Sequence, residues 1–391
     1  MIQSPEGVTT SLSINLFGNI TAISQGGQTE YRSYDQYQRL CKTQRNDVGQ
    51  TVFGYNSNNQ ISWQAEGSNG GSAQDCHYTQ LNNNQVSFAY DNLGQQRSVS
   101  YQDGTASKNY TYNTSGDLTQ LSVDGQAGTE VVQDYVYNQL RQLTRETTTI
   151  ASANQSWSFD YQYNALGHQS SISYPDSWIG TIEYAPNAFG QPTQAVGPYG
   201  AVYASNAQYH PNGSLASFNY GNGVVHNTEL NARQLPESVH DAFGQTDVMH
   251  LSYQYDNNNN ITRLSNLVDS SFSLTSLAYD GLDRLTDITG NSGIGNTTIR
   301  YDQLGNIQTK YSNGRQLSYI YDSNNRLSNV SDALSNLDYD FAYDSRGQVV
   351  DNGRRSFSLS SGVKTEAANQ MTGSDGSLYL YDGHNRRLHF D

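Results

Sequence analysis

Tyr319-Ile320-Tyr321-Asp322-Ser323-Asn324-Asn325-Arg326-Leu327 is the stretch that decides the fold. The two tyrosines stand two residues apart, so they share one face of an extended strand. Asp322 follows, and an Asp side chain can bond the backbone two residues on and open a turn. Asn325, three residues further, tolerates the positive φ of a tight turn. Leu327, six after Tyr321, opens the next strand. The stretch reads strand, turn, strand.

The same phrase recurs from end to end. It is Tyr90-Asp91-Asn92-Leu93-Gly94, Tyr112-Asn113-Thr114-Ser115-Gly116 and Tyr163-Asn164-Ala165-Leu166-Gly167. It returns at Tyr255-Asp256, as Tyr301-Asp302-Gln303-Leu304-Gly305, as Tyr343-Asp344-Ser345-Arg346-Gly347, and at Tyr381-Asp382. Looser copies stand at Tyr34, Tyr55, Tyr137, Tyr209, Tyr279 and Thr365–Met371. The step is roughly 20 to 25 residues, the signature of units that bury their apolar faces only by stacking. We expect the residues that build the wall to be Tyr55, Tyr90, Tyr112, Tyr137, Tyr163, Tyr255, Tyr279, Tyr301, Tyr321, Tyr343 and Tyr381. Gly94, Gly116, Gly167, Gly305 and Gly347 are expected to set its turns. Tyr255 and Tyr321 are expected to be mostly buried.

An aromatic commonly precedes the phrase Tyr by two, as in Phe88/Tyr90, Tyr161/Tyr163 and Tyr253/Tyr255. Aliphatics follow at plus six (Ile61, Leu118, Leu143, Ile261, Leu285, Ile307, Leu327, Val349) and often at plus nine (Leu121, Ile172, Leu264, Ile288, Val330). Six and nine do not alternate by two, and a bulge in the outgoing strand would reconcile them. Two strands per unit over this length far exceed the roughly ten strands at which an open twisted sheet begins to curl. The expected fold is all-β: one mostly antiparallel sheet of strand-turn-strand units, winding as a spiral, in a single scaffold over 1–391, nearly without helix.

Composition excludes several functions. The 391 residues carry a net charge of −15 with only 15% charged side chains, and Lys42, Lys108, Lys310 and Lys364 are the only lysines. Nucleic-acid binding needs clustered cations to displace counterions, and none are clustered. The 30 Tyr and 11 Phe in register argue against a disordered polar tract. No apolar run is long enough to span a membrane, and the N-terminus has no secretory signal pattern. Cys41 and Cys76 are far apart in sequence and are expected as free thiols, with the redox compartment open.

The eight histidines form no His-Glu-x-x-His and accompany no Cys-x-x-Cys, so no metal, cofactor or catalytic residue is assigned. There is no Gly-x-Ser-x-Gly elbow, and Gly293-Ile294-Gly295 lacks a third glycine. Asp256–Asn260 lacks the spaced acids of a calcium loop and reads as a turn. Catalysis is therefore not expected.

The phrase, with its aromatic two before, resembles the YD repeat of the Rhs family, over essentially the whole chain. Tyr379-Leu380-Tyr381-Asp382-Gly383-His384-Asn385-Arg386-Arg387 and Ser4-Pro5-Glu6-Gly7-Val8-Thr9-Thr10 resemble stretches of the bacterial Rhs core. The family includes bacterial polymorphic toxins, C components of insecticidal toxin complexes, and teneurins. The resemblance implies a sheet spiralling into a hollow shell, which in the toxins encloses a variable C-terminal effector. It implies a secreted or cell-surface bacterial protein whose partners are that effector or further shell segments. The family's downstream core and self-cleavage segment have no counterpart before Asp391, so we expect a segment of a longer shell that associates through its open edges. The alternative is an adhesion or glycan-binding module, with tyrosines stacking on sugars.

Overall fold

The computed structural model describes residues 1–391 apart from 69–71, 73–74, 79–83, 125–129, 336, 360–370, 375–376 and 390–391. The looser repeat at Thr365–Met371 therefore lies almost wholly outside the described residues. Thirty strands, from Ile2–Gln3 to Leu337–Asp340, make one sheet in which neighbours in sequence pair antiparallel. Two smaller sheets follow, Ala342–Tyr343 with Val349–Asp351, and a four-stranded one ending at Arg387–His389. Among the described residues, helix is confined to the short 3-10 turns Pro198–Gly200 and Ser270–Phe272.

The bulge inferred from the plus-six and plus-nine spacing is present. Tyr112 pairs with Leu118, yet Thr111 pairs with Gln120, so Thr119 is the extra residue. The slip carries Leu121 opposite Tyr110. It likewise carries Leu264 opposite Tyr253 and Val330 opposite Tyr319. Residues directly opposite share a face, so the tyrosine, the aromatic before it, and both aliphatics all lie on one face. We call this the tyrosine face.

The turns alternate between the two rims of the ribbon. Phrase turns line one rim, and the intervening hairpin turns line the other. The ribbon curls until these rims meet. Gly281, in the turn after Tyr279, donates its N–H to Glu6 Oε1 at 2.6 Å. Gln25 Nε2 donates to the Gln303 carbonyl at 3.1 Å, across 278 residues of sequence. The strands from Gln28–Tyr34 to Thr297–Tyr301, 23 of them, complete one winding. At about 4.8 Å per strand, that is a circumference of roughly 110 Å.

Close approach dictates small residues at this seam. A Cβ on Gly26 would lie 2.8 Å from Leu304 Cγ, and one on Gly281 would lie 2.7 Å from Pro5 Cβ. The sheet is a spiral, with its second winding seated on its first.

Cys41 and Cys76 correct the expectation of free thiols: they form a disulfide, with Cα atoms 5.5 Å apart. The reason is a buried cation that sequence spacing does not reveal. Lys42 is 1% exposed. Its ammonium donates to the Ser72 and His77 carbonyls at 2.6 and 2.8 Å and to Asp75 at 3.2 Å. These bonds fold the 72–77 segment over the strand Leu40–Arg45 and bring the two sulfurs together.

Candidate functional site

The repeat tyrosines act through their hydroxyls. Tyr90 Oη donates to the Ile61 carbonyl at 2.8 Å. Ile61 is the plus-six residue of the preceding unit. The ladder between those two strands runs from Ala65↔Gln85 to Trp63↔Ser87, so the hydroxyl supplies the bond beyond its end. The same bond recurs along the chain. Tyr55 bonds Leu40 (2.7 Å), Tyr112 bonds Gln96 (3.0 Å), Tyr137 bonds Leu118 (2.9 Å) and Tyr163 bonds Leu143 (2.8 Å). Tyr255 bonds Pro236 and Tyr279 bonds Ile261, both at 2.8 Å, and Tyr301 bonds Leu285 at 2.9 Å. Tyr321 bonds Ile307 (2.9 Å) and Tyr343 bonds Leu327 (2.7 Å). Tyr381 takes the equivalent place opposite Arg387.

Burial raises the pKa of Tyr55, Tyr112, Tyr137, Tyr163, Tyr255, Tyr279, Tyr321 and Tyr343, which keeps these hydroxyls protonated as donors. Tyr255 and Tyr321 are covered over most of their surface but not completely. One sheet layer covers only part of each ring, and the hydroxyl must reach the rim.

The phrase Asp or Asn closes the turn. Asp91 Oδ1 accepts from the N–H of Leu93 and of Gln95, both at 2.9 Å. Asn164 and Asp302 do the same for their own turns. The phrase's fifth residue takes φ between +73° and +89° at Gly94, Gly116, Gly167, Gly305 and Gly347, and +64° at Asn325. The plus-five residue then reaches the next unit. Gln60 Nε2 donates to the Gly94 carbonyl at 3.0 Å, and Gln142 Nε2 to that of Gly167 at 2.8 Å. Where an arginine stands there, it bonds its own phrase Asp and lies over the next unit's tyrosine, as Arg284 does over Tyr301 at 4.6 Å.

The two phrase rims differ in what covers them. On the second winding, Leu304 is half-buried against Gly26. On the first winding, the equivalent turn residues Phe17, Tyr37, Leu93, Leu140, Leu166 and Phe189 are exposed by 66% or more.

The C-terminal phrase turn lies on the tyrosine face. Asp382 is 2% exposed and Gln133 is fully buried. Gln133 Oε1 accepts from Gly383 N–H at 3.0 Å, and Lys108 Nζ donates to the Gly383 carbonyl at 3.1 Å. Tyr135 Oη lies 2.6 Å from His384 Nε2, and burial pushes the Tyr135 pKa up, so the phenol keeps its proton. Arg386 bonds Glu146 at 2.9 Å. Sequence reasoning marked the 379–387 string but not its seat on strands more than 200 residues away. The signal was available in Lys108, one of only four lysines in the chain.

Sequence reasoning also left the histidines scattered. Cross-strand register joins two of them: His240 pairs with His250, with Asp247 alongside. His226 Nδ1 meets Asp241 Oδ1 at 2.6 Å, with Asp241 one residue along that strand from His240.

No curated protein sequence matches this chain. Solved structures with the same fold are those described as TcdB2-TccC3 and TcdB2-TccC3-Cdc42. Each is 11% identical, with 98% of this chain aligned and TM-scores of 0.61 and 0.60. A third is TcdB2-TccC3 without its hypervariable C-terminal region, 12% identical with a TM-score of 0.60. This chain spans only 23–24% of the length of these relatives. The long antiparallel sheet, the phrase turns and the tyrosine ladder agree with the family described as Teneurin YD-shell. That family matches residues 82–389, and the chain belongs to it.

Proposed function

We propose that this chain is one stretch of the wall of a longer, secreted bacterial toxin shell, and that the shell encloses a C-terminal effector. The wall acts by exclusion and does no chemistry of its own. The observation that carries the reading is the contrast between the two phrase rims. The same turn position that seats on Gly26 in the second winding stands bare along the first, and is apolar at Phe17, Tyr37, Leu93, Leu140, Leu166 and Phe189. A further winding of the same protein would cover it in the same way. The TcdB2-TccC3 relatives, more than four times as long by the aligned fraction, support such an extension. The disulfide fits an oxidising compartment. A glycan-stacking role for the repeat tyrosines is disfavoured, because their hydroxyls are already committed to backbone carbonyls.

The test uses the full gene product with a protease-cleavable tag placed in the segment after Asp391. Proteinase K should spare the tag in the intact protein and remove it once the shell is opened by denaturant. Cleavage of the tag in the native protein as fast as in a free peptide would contradict enclosure.

A further inference from the structure

His240, Asp247 and His250 share the face opposite the repeat tyrosines, on the hairpin of strands Pro236–Phe243 and Thr246–Tyr255. His240 and His250 are direct cross-strand partners, with ring centroids 4.4 Å apart. A bulge supplies the third group. Regular pairing would set Ala242 against Val248, but the register slips so that Ala242 meets Asp247. Bulges re-aim side chains in this way, and here the slip brings a carboxylate to the histidine pair.

His240 Nε2 is 2.8 Å from Asp247 Oδ1, and His250 Nδ1 is 3.8 Å from Asp247 Oδ2. The three ligand atoms lie within 4.8 Å of one another, the one such grouping among the described residues. His250 has a supporting contact as well: its Nε2 lies 3.3 Å from Ser238 Oγ. When Nε2–H donates to that hydroxyl, Nδ1 carries the lone pair and points at the carboxylate. This is how an outer partner prepares an imidazole for a metal. All three side chains are between a quarter and a half exposed, so an ion can enter and water can fill a fourth position.

We infer that His240, Asp247 and His250 form a binding site for a divalent first-row transition metal such as Zn²⁺. Two imidazole nitrogens and one carboxylate suit Zn²⁺, Ni²⁺ or Cu²⁺; Ca²⁺ and Mg²⁺ prefer all-oxygen sets. Ligand distances of about 2.0–2.2 Å need the side chains to close by roughly 1 Å, which exposed rotamers allow. The bound ion would clip the hairpin across its two strands. Neither the shell reading nor the metal site depends on the other.

Titration calorimetry with Zn²⁺ alone should give one site per chain. His240→Ala and His250→Ala should each weaken it at least tenfold, and Asp247→Asn should weaken it measurably. His226→Ala, whose ring pairs with Asp241 on the tyrosine face, should bind within twofold of wild type. Far-ultraviolet circular dichroism of every variant checks that the sheet persists. A millimolar excess of Ca²⁺ should not compete. Zn²⁺ uptake by His240→Ala/Asp247→Ala/His250→Ala equal to that of wild type, or no uptake by wild type, would overturn the site.

Discussion

At the residue scale, the tyrosine is a hydrogen-bond donor as much as a wall brick. Tyr163→Phe keeps the ring and removes only the bond to the Leu143 carbonyl. It should cost about 1 kcal/mol, read by urea denaturation. Tyr163→Ala should cost about 2 kcal/mol, less than a fully buried aromatic, because the ring is half-covered. Equal costs for Phe and Ala would show that the hydroxyl carries the whole effect. Asp332 offers a pH test. Hydrogen bonds from Ser335 Oγ (2.7 Å) and Arg315 Nε (2.9 Å), with N–H groups of Leu334 and Gln316, lower its pKa from 3.8 to about 2. A folded pKa below the unfolded one gives stability that is present above about pH 4 and is lost as pH falls through 2. Asp332→Asn should lower stability at pH 7 and flatten its pH dependence between 4 and 2. An unchanged acid limb would show that the carboxylate is not coupled to folding.

At the element scale, each hairpin is a turn closed by one Asp or Asn and a residue of positive φ. Gly167→Ala places a side chain at φ +80° with its Cβ 3.2 Å from Gln142 Nε2. It should cost about 1–2 kcal/mol by thermal or urea unfolding, whereas Asn in place of Gly167 should cost less. Much of this element was readable in the sequence. Period-two aromatics fixed the strands, the Asp-to-Gly spacing fixed the turns, and the aliphatics at plus six and plus nine implied the bulge. What was hidden depends on register between strands. The acceptor of the Tyr90 hydroxyl is a main-chain carbonyl, and a carbonyl has no letter. His240 and His250 meet only because ten residues of hairpin place them opposite each other. The turn Ser4–Val8 has the hydrogen bonds of a phrase turn yet lies on the other rim, and sequence alone does not say which rim a turn joins.

At the scale of the whole molecule, local pairing builds the ribbon, and the curl decides what touches what. Strand count made a spiral necessary, but the circumference is set by twist accumulated over 23 strands, which no single motif encodes. For the same reason the seat of Asp382 on Gln133, and the loop that ties Cys76 to Cys41, were not legible. Gly281→Val puts bulk against Pro5 at the seam and should destabilise by about 1–3 kcal/mol. Gly281 is not at positive φ, so the loss on substitution reports the seam contact and not backbone strain.

The central claim is that one winding of 23 strands brings the second turn of the spiral onto the first. Pulsed electron-spin resonance between nitroxides on Cys-substituted Gln25 and Gln303 measures this directly, since the native cysteines are paired. These residues are hydrogen-bonded across 278 positions, so the predicted separation is on the order of 20 Å with a narrow spread, allowing for label length. A flat or open ribbon would hold them roughly 100 Å apart, at 4.8 Å per strand, and a distribution beyond the short range would contradict the spiral.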